Sequence, residues 1–304
     1  MGTSKDKITR KEFIRTSSMG ALGAGMLAAS PVRIWPDQKK LATATLGRTG
    51  IQVTKLGVGA PRIEEASVLR YALDNGITFI DTGRVYANGK NEEMVGKAVK
   101  GNRKEFVIQS KLRMNIDPED MKNDPGTLSD RIKQQFDKSL EESLQALQTD
   151  FIDILLYHNG DTGLLYHEAI LDSFTKAKKE GKIRACGFSV HSNLVANMER
   201  HNREKFFDVV MVSFNPHAGY QRVNRSEKWD QDALIAELEK AAERGTGIVA
   251  MKTCLGGTWR CQGDSEASYP GAVKWVLAKP YIHSSAVAMA SFQQLDEHFQ
   301  VHKV

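Results

Sequence analysis

From Lys55 onward, short apolar runs alternate with helix-period segments eight times, and no other feature of the chain restricts its fold as strongly. The strand windows fall at 56–59, 79–81, 106–110, 151–157, 183–189, 209–214, 248–252 and 285–290. Helical windows follow at 66–75, 92–100, 128–147, 166–180, 192–202, 231–244, 272–278 and from 293 onward. Strands separated by helices of this length belong in a parallel sheet with helical crossovers. Gly76, Gly101, Gly181 and Gly245 sit at helix ends, where a left-handed cap costs glycine no steric penalty. No GxGxxG occurs anywhere, which disfavours a doubly wound dinucleotide sheet and leaves the α/β class with a closed (β/α)8 TIM barrel. The longest loop-like insertion, 114–127, carries Asp117-Pro118 and Asp124-Pro125-Gly126 turn signals.

Ahead of the first window, two short strands at 44–46 and 51–53 flank Gly47-Arg48-Thr49-Gly50, predicting an N-terminal β-hairpin that plugs one end of the barrel. The barrel is expected to span 43–304, preceded by a linker at 31–42 and an export signal at 1–30. The signal reading rests on a basic start, a Gly/Ala-rich apolar run from Ser17 to Ala29 too short to span a bilayer, and small residues before Pro31. The start resembles a twin-arginine signal at Arg10, Phe13, Ile14 and Arg15, with Lys11 in place of the second arginine. That resemblance implies the twin-arginine export machinery as a partner, a periplasmic or exported location and no stable membrane anchor. The alternative is an amphipathic N-terminus on a cytoplasmic protein.

Composition removes other classes. The formal net charge is +5, but the first sixteen residues hold five basic against two acidic side chains, and the rest is nearly balanced. Its basic residues alternate with acidic ones on apparent helix faces, so no nucleic-acid partner is expected. Cys186, Cys254 and Cys261 are odd in number and lack CxxC spacing, which favours free thiols. His191, His217 and His283 lack a carboxylate cluster at ligand spacing, so no metal site is expected and a metal-dependent isomerase or lyase on this fold is a minor reading.

Barrel enzymes collect their chemistry where strands run into βα loops. Asp81 closes the second window, Tyr86 lies in the loop after it, Lys111 follows the third and His158 follows the fourth. Each has an ordinary structural explanation alone; together, on consecutive strand exits, they form a set. Reducing a carbonyl requires a proton donor at its oxygen. A phenol with a pKa of about 10 is a weak acid-base group near neutrality, and an adjacent lysine is expected to lower it toward the working range. Asp81 would keep Lys111 charged and oriented, and a neutral His158 would hydrogen-bond the carbonyl oxygen.

Across residues 45–300 the chain resembles the aldo-keto reductase family. The resemblance is carried by Leu46-Gly47-Arg48-Thr49-Gly50, Asp81-Thr82-Gly83-Arg84-Val85-Tyr86, Asn91-Glu92-Glu93-Met94-Val95-Gly96, Ser110-Lys111, Thr149-Asp150-Phe151-Ile152-Asp153-Ile154-Leu155-Leu156-Tyr157-His158 and Gly181-Lys182-Ile183-Arg184. It implies catalytic roles for Asp81, Tyr86, Lys111 and His158, with NADP(H) as cofactor and NAD(H) left open. The implied cofactor contacts are Ser189, Met211, Lys252, Gly256, Gly257, Ser291 and Gln294. Several depart from the family pattern. Val190 stands where an Asn is expected, Met211 where a Gln is expected, and Ala288 and Gln294 where a phosphate-binding cation is expected. The function so implied is NAD(P)H-dependent reduction of a small-molecule aldehyde or ketone to an alcohol. The alternative is a cofactor-binding or sensory barrel with little turnover.

Overall fold

The computed structural model describes residues 40–116, 125–158, 163–222 and 225–302. The export-signal reading at 1–30, most of the linker reading at 31–42 and part of the 114–127 insertion lie outside the described residues.

Thr43–Thr45 (β1) pairs antiparallel with Gln52–Thr54 (β2), completing the expected hairpin with boundaries shifted by one residue. The chain then enters Leu56–Gly59 (β3), Ala66–Asp74 (α1), Phe79–Asp81 (β4), Lys90–Val99 (α2), Val107–Leu112 (β5), Pro125–Leu147 (α3), Ile152–His158 (β6), Glu168–Lys179 (α4), Ile183–Val190 (β7), Leu194–Glu204 (α5) and Val209–Ser213 (β8). A second hairpin, Gly219–Arg222 (β9) with Arg225–Lys228 (β10), interrupts the alternation. Gln231–Glu243 (α6), Gly247–Met251 (β11), Tyr269–Leu277 (α7), Ser284–Val287 (β12) and Phe292–His302 (α8) complete it.

The strands close in the order β11-β12-β3-β4-β5-β6-β7-β8, with every neighbouring pair parallel. All eight predicted windows supply a barrel strand. Lys111 and His158 lie within the last two residues of their strands instead of following them, because both extend beyond the predicted ends.

Alternation divides the apolar residues into two layers. Ile80, Ile108, Leu112, Leu155 and Tyr157 point outward and pack beneath the helices. Phe79, Val107, Ile154, Leu156, Val209, Met211 and Val249 fill the barrel interior, where Leu46, Ile51 and Val53 from the hairpin join them as the plug. Gly187 shares the inward face of Ala185, and a Cβ there would lie 2.7 Å from the inward Leu156 Cδ2. Gly76 ends α1 with φ +94°, its N–H donating to Leu73 O at 3.0 Å while Ile77 N–H reaches back to Ala72 O at 3.2 Å.

Several resembling motifs prove to be clips at the base of the barrel. Asp153 accepts from Arg184 at 2.6 Å, from Arg103 at 2.8 Å and from the Ile108 N–H at 2.9 Å, joining β5, β6 and β7. The Arg48 backbone N–H donates to Gly245 O at 2.7 Å, and its guanidinium lies 3.6 Å from Asp208, fastening the hairpin to the barrel. All three cysteines are free. Among the described residues no helix is long and apolar enough to cross a membrane.

Candidate active site

The alternation that fills the interior also delivers the polar set. Moving two residues along each strand from Phe79, Gln109 and Leu156 leads to Asp81, Lys111 and His158, all inward and all at the carboxyl end. Lys111 is 1% exposed, and its Nζ donates to Asp81 Oδ1 at 2.5 Å and to the Thr82 carbonyl at 2.8 Å. The same ammonium lies 5.0 Å from the centre of the Tyr86 ring, and the Tyr86 and His158 rings meet edge-on at 5.7 Å. The four residues therefore form one cluster.

Tyr86 is held by an unusual turn. It opens a 3-10 segment, Tyr86–Gly89, in which Ala87 and Asn88 have φ of 48° and 52° and Gly89 has φ 87°. Backbone strain of this kind persists where surrounding contacts over-determine it. The contacts here come from Arg84. It packs so closely against Gly89 that a Cβ would collide with its guanidinium, and it donates to the Glu142 carbonyl at 2.9 Å and pairs with Glu92 at 3.1 Å. Glu92 is fully buried and accepts from Ser110 Oγ at 2.6 Å, so the segment before Tyr86 is tied to the residue preceding Lys111. Burial pushes the Glu92 carboxyl above its usual range, opposed by Ser110 and Arg84. Thr82 joins the same lattice through Asn91 at 2.7 Å, and Asn91 donates to Ala60 O at 2.8 Å.

The electrostatics correct one expectation. Burial is the largest influence on the Tyr86 phenol and holds it above its ordinary value of 10; Lys111 pulls it down but does not outweigh burial, and Asp81 adds to the rise. The phenol is consequently protonated at neutral pH, as a proton donor must be. Burial opposes the charge on Lys111, yet the Asp81 carboxylate and Tyr86 together raise its pKa above the ordinary value, so it stays an ammonium. Burial, followed by the charges of Lys111, Arg113 and Lys252, pushes His158 down to about 3. His158 is a neutral imidazole, and its buried Nδ1 has no hydrogen-bond partner among the described residues.

Sequence reasoning passed over Gln109. It is fully buried one layer below Lys111, donates from Nε2 to Asp81 Oδ1 at 2.7 Å and approaches Met211 Sδ at 3.4 Å. The available signal was spacing, since Gln109 precedes Lys111 by two residues and must share its face.

The expected cofactor residues divide by position. Ser189 and Met211, paired across β7 and β8, are both buried, and Met211 lies against Gln109. Lys252, Ser291 and Gln294 line a cavity of about 530 Å³ beyond the ends of β11 and β12. Lys252, at φ 57°, donates to the Tyr220 hydroxyl at 2.7 Å. Gly256 packs against Asn215, whose Oδ1 a Cβ would approach to 2.7 Å, and the Gly257 N–H donates to Cys254 O at 3.2 Å within its own turn. Among the described residues no three His, Cys, Asp or Glu side chains form a group able to hold a metal ion.

Comparison with known proteins identifies the family. The profile of the aldo/keto reductase family matches residues 54–274. The uncharacterized oxidoreductase YrpG of Bacillus subtilis is 32% identical over 229 residues, 70% of this chain and 66% of the relative. Aldo-keto reductase YhdN of the same organism is 34% identical over 158 residues, 48% of this chain and 46% of the relative. The matched stretch thus spans about half to two thirds of these curated relatives. Among solved structures, aldo-keto reductase AKR11C1 of Bacillus halodurans in its holo form superposes with a TM-score of 0.68 at 20% identity, covering 87% of this chain and 91% of that one. The aldo-keto reductase of Klebsiella pneumoniae in complex with NADPH gives 0.60 at 21% identity, covering 88% and 90%. The structural matches establish the shared barrel.

Proposed function

The chain belongs to the aldo/keto reductase family, and on that premise we propose that it reduces an aldehyde or ketone to an alcohol with a nicotinamide cofactor. The observation that carries this reading is the convergence of Tyr86, Lys111, Asp81 and His158, with the Lys111 ammonium 2.5 Å from Asp81 and facing the Tyr86 ring. The residues present fit such a cofactor: the cavity beside β11 and β12 is large enough to take part of a nucleotide, and the buried His158 Nδ1 has no hydrogen-bond partner among the described residues. The NADPH complex of the Klebsiella relative supports the same choice.

When bound, the cofactor supplies the hydride that reaches the carbonyl carbon. Tyr86 donates its phenolic proton to the carbonyl oxygen, and Lys111 stabilises the phenolate left behind. Asp81 keeps Lys111 charged and aimed at the phenol. His158, unable to carry charge above about pH 3, acts as a neutral hydrogen-bonding wall that orients the oxygen without competing for the proton.

Replacing Tyr86 by Phe should remove carbonyl reduction by about 10²-fold or more, while nucleotide binding and the unfolding temperature stay near wild type. Full activity in that variant would remove the assigned role.

We also propose that residues 1–30 direct export as a folded, cofactor-loaded protein, a route that a weakly apolar, Gly/Ala-rich signal suits. Cell fractionation of the full chain and of its Arg10→Gln, Lys11→Gln variant tests this; a location indifferent to the change would discard it.

A further inference from the structure

The inward series of β5 continues past the strand end. Gln109, Lys111 and Arg113 follow one another at a spacing of two, and the register that sets Gln109 beside Ile154 and Lys111 beside Leu156 leads on to Arg113 beside His158. Arg113 therefore stands on the face that carries the cluster, about 7 Å beyond Lys111 along the strand direction. The lysine is buried and committed to Asp81, whereas Arg113 is exposed and its guanidinium has no hydrogen bond or ion pair among the described residues.

The neighbours of Arg113 are basic side chains. On the far side of His158 the register reaches Ser189, and His191, two residues further along that face, brings its ring to 5.8 Å from the His158 ring. Lys252 follows β11, which lies opposite β5 in the closed strand order, and its ammonium donates to the Tyr220 hydroxyl at 2.7 Å. The charges of Arg113 and Lys252 both reach His158 and add to those that push its pKa down. The one carboxylate of the cluster, Asp81, is already taken by Lys111 and Gln109. The mouth above the phenol is thus a region of positive potential with one uncommitted guanidinium at its rim, an arrangement that repels a cationic substrate and draws in an anionic one. His158 stays neutral and supplies no charge of its own to an anion, so the ionic anchor falls to Arg113.

We infer that Arg113 holds a carboxylate of the substrate, and that the compounds reduced here are short oxo acids whose carbonyl oxygen meets Tyr86 and His158 while the carboxylate turns outward to the end of β5. This rests on the reductase reading above and specifies its substrate class. A guanidinium presents paired, coplanar N–H groups that a carboxylate accepts together, and one such group balances one negative charge, which suits a carboxylate better than a phosphate dianion.

The test is steady-state reduction by the full chain, with NADPH and separately with NADH, of 4-oxobutanoate and 4-formylbenzoate, each beside its methyl ester, and of 4-formylphenyl phosphate. Wild type should favour acid over ester in kcat/KM by about tenfold or more, the difference lying in KM. Arg113→Gln should bring that ratio close to one, Arg113→Lys should recover part of it and Arg113→Glu should invert it, with far-ultraviolet circular dichroism verifying the fold of each. Four results would overturn the inference while leaving the reductase reading standing: esters reduced as well as acids by wild type, a ratio that survives Arg113→Gln, equal losses on acid and ester in that variant, or 4-formylphenyl phosphate favoured over 4-formylbenzoate. Wild-type protein that reduces none of the five compounds with either nucleotide would overturn both.

Discussion

Gln109 donates to Asp81 Oδ1 at 2.7 Å, and that is the same carboxylate oxygen that receives the Lys111 ammonium at 2.5 Å. The amide reaches it from below and the ammonium from above, so the carboxylate cannot rotate without losing a charge-assisted contact. Gln109 is therefore a positioning residue, acting on the phenol through Asp81 and Lys111. Substituting Met, which nearly preserves volume, should lower kcat about tenfold while nucleotide affinity remains unchanged. A loss of nucleotide affinity equal to the loss in kcat would mean that the barrel interior has merely loosened.

The pH profile of reduction should follow the phenol. Tyr86 is held above 10, so it donates throughout the neutral range, and the rate should fall only as pH rises through that displaced value. Lys111→Met removes the group that pulls the phenol down, so any residual activity should persist to still higher pH, with kcat reduced about 10²-fold or more. A profile for wild type that declines already at pH 8 would contradict the ordering of burial over Lys111.

Acid should destabilise the fold from neutrality downward. Burial depresses His158 to about 3 and His201 to about 4, whereas both titrate near 6.5 in the unfolded chain. Between those values the unfolded state holds more protons, so stability is lost as pH falls from 6.5 toward 4. His201 packs on Phe188 and its Nε2 lies 3.0 Å from Thr246 Oγ1, away from the four-residue cluster. His201→Gln should flatten the dependence of the melting temperature on pH in this window. An unaltered slope would assign the effect elsewhere.

Gly89 and Gly187 should respond differently to alanine. A Cβ at Gly187 would drive into the Val209 backbone, 2.0 Å away, within the closed sheet, so Gly187→Ala should cost at least about 3 kcal/mol of stability. At Gly89 the obstacle is the end of the Arg84 side chain, which can move, but the position has φ 87°. Gly89→Ala should cost about 1 kcal/mol and reduce activity more than stability, because it displaces the arginine that ties the Tyr86 turn to Glu92. Thermal denaturation alongside steady-state kinetics separates the two outcomes.

Asp153 is 1% exposed and holds Arg103 and Arg184 together across three strands. Asp153→Ala leaves the partly buried Arg103 without its carboxylate, with only the Phe106 and Phe151 carbonyls to accept from it, and should lower stability by about 3 kcal/mol, with little change in kcat for the fraction that remains folded. A drop in kcat at unchanged stability would move this clip from the base of the barrel into the working site.

The candidate site was legible wherever strand periodicity governed it. Asp81, Lys111 and His158 all occupy inward positions near strand ends, and a period of two with a known strand direction is enough to bring them to one face. Tyr86 was readable only as a loop residue beside them. Its left-handed turn is enforced by Arg84, Glu92 and Ser110, which come together from three separate elements. The second hairpin, β9 with β10, was not anticipated because its strands are polar and short and carry no alternation of the kind that marks a half-buried strand.

By itself, then, the sequence determined the barrel, the order of its strands and which side chains face inward, since these follow from local periodicity and from rules of parallel crossover that need no distant partner. Tertiary structure decided the net displacement of the Tyr86 phenol, the coupling of Gln109 to Asp81 and the convergence of the Arg113 and Lys252 charges on His158. Burial and charge proximity depend on which residues become neighbours once the sheet closes, and for these residues the neighbours lie dozens of positions away along the chain.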